Sequence, residues 1–153
     1  MKQRSPSSKL WTQAGALALL VLLLVAWLIH AETKPLNRDE LKIEVAGLRS
    51  TAAEARLLAG QTLSARTTRP FFETETYLLN DKTQTAKQAL DSAAVEAGLD
   101  AKLLQARQLA GELQNECQKL SGSFANSAEL NRAKDSLEQL TSRLKELEES
   151  LKQ

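Results

Sequence analysis

Residues 129–152, ELNRAKDSLEQLTSRLKELEESLK, decide what kind of fold this chain adopts. Leu130, Ala133, Leu137, Leu140, Leu144, Leu147 and Leu151 recur at spacings of three, four, three, four, three and four. That rhythm puts all of them on one side of an α-helix. With 130, 137, 144 and 151 at position a, the segment is a heptad seam. Its flanks suit a parallel homodimer, in which each g residue meets the next e residue of the second copy. Glu129 would meet Lys134, Arg143 would meet Glu148, and neutral Ser136 would meet Thr141. The same stripe suits packing inside one chain, because helices joined by short loops readily form antiparallel bundles.

Upstream, the pattern stays helical. Asn37 followed by Glu40 fits a capping box, and Leu36 with Leu41 fits a hydrophobic staple, so a helix is predicted from about residue 38. It carries Leu41, Val45, Leu48, Ala52, Ala55, Ala59 and Thr62 on one stripe, widened by Leu58 and Leu63. Pro70 is expected to stop or kink the helix near Thr67. A short helix over 71–79 then precedes another over 82–97, capped by Asp81 with Gln84 and lined by Ala86, Leu90, Ala93 and Ala97. Gly98 reads as a left-handed stop. Asp100 is the expected cap of a further helix, with Leu99 stapled onto Leu104. Its stripe is Leu103, Ala106, Ala110, Leu113, Cys117 and Leu120, and Gly122 ends it. Asn126 with Glu129 caps the last helix. β-branched and aromatic residues are scarce beyond residue 31, and no run alternates as strands do.

The other end of the chain is of a different kind. Leu10–Ile29, LWTQAGALALLVLLLVAWLI, are 20 uncharged residues, about 30 Å long as a helix, the thickness of a bilayer's hydrocarbon core. Trp11 and Trp27 sit near its ends, where aromatic anchors meet the headgroups. Lys2, Arg4 and Lys9 give the first nine residues a charge of +3, which favours a cytoplasmic N-terminus. The stretch is too long for a signal core, and Ile29 is a poor residue two positions before a cleavage site at Ala31. No Cys lies near the end of the stretch for lipid attachment. The expected organisation is therefore a basic tail (1–9), a transmembrane helix (10–30), a hinge (31–37) around Pro35, and an extracytoplasmic helical bundle or coiled coil (38–153) with its heptad segment at 129–152. In bacterial terms this is a single-pass inner-membrane protein with a periplasmic domain.

Chemistry has little foothold. The other 17 basic residues face all 19 acidic ones, leaving −2 beyond the tail, so there is no basic face for nucleic acid. The single His, His30, cannot build a common zinc site alone. No phosphate loop or nucleophile elbow occurs. No catalytic residue, cofactor, metal or small-molecule substrate is expected. Cys117, the lone Cys, occupies a stripe position and reads as a small apolar residue, the alternative being a disulfide between two copies. The segment around Pro70 is the best candidate for a partner site: Arg69, Phe71, Phe72 and Tyr77 combine arginine with aromatics, the usual anchors of interfaces. Its alternative role is to plug the end of the bundle. The functional expectation is a non-catalytic membrane scaffold or accessory subunit of an envelope complex, touching lipid and either a protein partner or a second copy. The alternatives are a sensor ectodomain signalling through a membrane partner and a phage-type envelope-spanning lytic accessory protein.

Overall fold

The computed structural model describes residues 35–152. The anticipated tail, the membrane segment with Trp11 and Trp27, and residues 31–34 of the hinge lie outside them. Four helices make up the described part: α1 (Arg38–Leu63), α2 (Arg69–Ser92), α3 (Asp100–Ser121) and α4 (Ser127–Ser150). None of these is long and apolar enough to cross a membrane.

Local chemistry explains most of the boundaries. Asn37 and Glu40 form the capping box: the Asn37 side chain accepts from the Glu40 amide at 2.9 Å, and the Glu40 carboxylate accepts from the Asn37 amide at 2.8 Å. α1 ends in a Schellman turn, with Arg66 N–H donating to the Gln61 carbonyl and Ala65 N–H to that of Thr62. Ala65 takes the left-handed conformation there, at φ 53°. Asn126 caps α4, accepting from the Glu129 amide at 3.2 Å.

α2 departs from expectation. Pro70 lies in its first turn, where its missing N–H costs nothing, so it starts a helix. The anticipated helices 71–79 and 82–97 are the first and second parts of one helix, and Asp81 caps nothing. An inward line of Phe72, Thr76, Leu79, Thr83 and Leu90 carries the helix past Asp81. Thr76 and Thr83 can be buried because their hydroxyls donate to the carbonyls of Phe72 and Leu79, each at 2.9 Å.

α2 also ends early, at Ser92. The Leu36 amide donates to the Ala94 carbonyl at 2.8 Å, and the Glu96 amide donates to the Leu36 carbonyl at 3.1 Å. Leu36 and Val95 thus form a short parallel bridge. The described part of the anticipated hinge is therefore held at Leu36. Gly98 does adopt a positive φ, +91°, but in the turn before α3. Asp100 is the first residue of α3 and not its cap, and Leu104 is 67% exposed, so no staple to Leu99 forms.

The helices alternate in direction. α1 packs along α4, α2 along α3, and α3 along α4, whereas α2 and α4 occupy opposite corners. Arg49 meets Glu148 at 3.2 Å and Arg56 meets Glu138 at 3.4 Å, which shows the antiparallel run of α1 and α4. Small residues on α1 (Ala52, Ala55, Ala59) and α3 (Ala106, Ala110) are fully buried and let these diagonal helices touch. Leu130, Leu137, Leu140, Leu144, Leu147 and Leu151 are all buried in this core. The heptad seam is therefore used inside the chain. Its flanks are engaged there too: Arg143 pairs with Glu112 of α3 and Glu148 with Arg49 of α1, in place of the pairing foreseen for a homodimer.

Candidate interaction surface

The residues picked from sequence around Pro70 separate by depth. Phe72 is fully buried and stacks against Phe124 with ring centroids 5.3 Å apart and planes tilted 57°. It seals the end of the bundle formed by the α1–α2 and α3–α4 loops. Phe71 is 50% exposed and Tyr77 71% exposed. Arg69 is exposed and pairs with Glu73 of its own helix at 2.8 Å. Six positions of helix put Phe71 and Tyr77 about 120° apart around α2, so they do not share a face. Leu78, which the sequence reading passed over, aligns with Phe71 and is 43% exposed.

The neighbour of Phe71 across the helix pair is Leu57 of α1. Both line a hollow of 260 Å³ with Glu54, Leu58, Gln61 and Glu75. On its other flank Leu57 edges a second hollow of 350 Å³ between α1 and α4, lined by Arg56, Gly60, Arg66 and Lys134. Leu57 is thus a ridge between a hollow bearing two carboxylates and a basic hollow. It is 61% exposed, and further along α1 Ile43 is 69% exposed. Neither was singled out from sequence. The available signal was a second apolar spacing on α1, displaced from the buried stripe.

A larger groove of 720 Å³ runs between α3 and α4, lined among others by Glu116, Lys119, Glu129, Arg132 and Asp135. Its charges are mixed, and Lys119 already pairs with Glu116 at 2.7 Å, so it presents no single sign to a ligand. Beside it Arg143 hydrogen-bonds Glu112, which holds that carboxyl below its ordinary value of 4.5 against the opposing effect of partial burial. No group of three or more His, Cys, Asp or Glu that could hold a metal ion occurs among the described residues.

Cys117 faces the core with no exposure, and burial, aided by the Glu116 charge, pushes its thiol up to about 12. A bridge between folded copies through this residue would require opening the core.

No family model matches the chain, and neither a curated protein nor a solved structure matches it significantly. The fold defines a four-helix antiparallel bundle with an outward apolar ridge.

Proposed function

We propose that this protein is a membrane-tethered scaffold or accessory subunit of a cell-envelope complex, which works by helix–helix contact and performs no chemistry of its own. In this reading residues 10–30 span the inner membrane with the basic tail in the cytoplasm. The bundle stands in the periplasm and meets a protein partner there. The observation that carries the reading is the exposed pair Leu57 and Phe71 on a bundle whose leucine seam is already covered. Large apolar residues flanked by charged rims are what a contact surface presents. In this reading the tether confines the protein to the membrane plane, which raises effective concentration and lets modest surfaces suffice.

The test combines topology with contact. Carbonate-washed membranes should retain the full-length chain, and externally added protease should digest the bundle only after the outer membrane is opened. A photo-crosslinking residue at Leu57 should yield a discrete adduct in cells, whereas one at exposed Gln84 on α2 should not. Loss of the chain into the carbonate wash would sink the tether, and an adduct-free Leu57 would sink the contact.

A further inference from the structure

We propose that two copies of this chain pair in parallel through the outward face of α1. Ile43, Ser50 and Leu57 would sit at the a positions of a second heptad seam, and Ala46, Ala53 and Gly60 at the d positions. This deepens the scaffold reading by naming the partner as a second copy.

α1 carries two stripes. The inner one, Leu41, Val45, Leu48, Ala52, Ala55 and Ala59, is buried against the bundle. The outer one repeats at three, four, three, four, three, and every member is exposed or half-exposed. No charged residue interrupts it. The outward line of α2, by contrast, runs Phe71, Thr74, Leu78 and then Asp81, and exposed Leu104 of α3 has no comparable series. Ser50 and its Ala neighbours let a second helix approach closely, so that Ile43 and Leu57 can reach across. The hollows on either side of Leu57 supply recesses of the kind that receive knobs in coiled-coil packing.

Charge selects the orientation. The g edge of this seam is Lys42, Arg49 and Arg56, and the e edge is Gly47, Glu54 and Gln61. In a parallel pair each g residue meets the e residue five positions on. Arg49 then meets Glu54 of the second copy, while Lys42 and Arg56 meet uncharged residues. An antiparallel pair would set one basic edge against the other. Within the chain Arg49 lies 3.2 Å from Glu148 and Glu54 2.8 Å from Lys82, so pairing would join existing ion pairs into a longer line. Such exposed charges contribute little affinity, but they discriminate between geometries. A parallel pair also brings the two Pro35 residues to the same end, as two chains anchored in one membrane require.

Site-specific disulfide trapping of the full-length protein in native membranes tests this. Ile43→Cys, Ser50→Cys and Leu57→Cys should each give a reducible dimer on mild oxidation. Leu104→Cys and the unsubstituted chain, whose Cys117 is buried, should not. Dimers from Ser50→Cys alone would indicate a crossed or antiparallel contact and overturn the proposal. No dimer at any of the three, or an adduct of a mass other than twice the chain, would overturn it as well. Carbonate extraction of the same samples reads the tether separately. A retained chain without dimers sinks the pairing and leaves the tether standing. Dimers from a chain that washes off uphold the pairing and sink the tether.

Discussion

The Arg107 side chain reaches from α3 to the end of α2, where its Nε donates to the Leu90 carbonyl at 2.9 Å. One Nη donates to the carbonyls of Asp91 at 3.1 Å and Ala93 at 2.9 Å. Leu90 and Asp91 lie in the last turn of α2 and Ala93 is its C-cap, and the Leu90 carbonyl also accepts from the Ala93 amide at 3.3 Å, so a single guanidinium completes the end of α2 where the sequence offers no capping glycine. Arg107→Ala should lower stability by about 2 kcal/mol, as expected for hydrogen bonds to a charged donor. Arg107→Lys should recover only part of this, since an ammonium lacks the planar fork. The shift of the urea midpoint at constant slope measures both.

Ala65 holds a left-handed backbone that disfavours a Cβ. Ala65→Gly should therefore stabilise the bundle, by about 1 kcal/mol, with the Schellman bonds at the end of α1 retained. A thermal melt that moves down would contradict this.

Adjacent phenylalanines should behave differently. Phe72→Ala empties a fully buried site against Phe124 and should cost about 3–5 kcal/mol. Phe71→Ala should cost clearly less, about 1 kcal/mol, because half of that ring already meets solvent. Equal losses in denaturant titrations would show that both rings belong to the plug.

Leu144→Ala should cost about 2–5 kcal/mol, and the loss should be the same at every protein concentration. The reason is that Leu144 packs within its own chain. A loss that vanishes on dilution would mean that the seam is covered by another molecule.

Glu112 provides the pH handle. Its folded carboxyl is held below 4.5, chiefly by the hydrogen bond from Arg143, so the pair contributes stability above that pH and loses it as the carboxyl protonates below. Glu112→Gln should flatten this acid limb and leave the neutral-pH fold intact. The effect is small because both side chains are partly exposed, 35% for Glu112 and 46% for Arg143. Urea midpoints between pH 6 and pH 3 compare the two proteins.

The helical class and most of the core were legible because leucine and alanine repeat in register on three of the four helices. α2 reads as two helices in sequence because Asp81 with Gln84 mimics a capping box, and because its stripe contains Thr76 and Thr83, which look polar there. Only the folded helix shows that their hydroxyls are satisfied by carbonyls one turn back. The end of α2 was equally hidden, since Arg107 and Leu36 act on it from 14 or more residues away. Periodicity announced that Leu130 to Leu151 would be covered, yet it could not say by which molecule. Phe71 and Phe72 stand next to each other in sequence, and only the direction α2 takes from Pro70 sends one inward and the other out. Leu57 and Ile43 were overlooked because a second, sparser seam is masked by the stronger one on the same helix.

The bridge at Leu36 has a mechanical consequence. Any load on the chain at Pro35 is shared between residues 94–96 and the first turn of α1, because Leu36 is bound through both its N–H and its C=O ahead of the capping box.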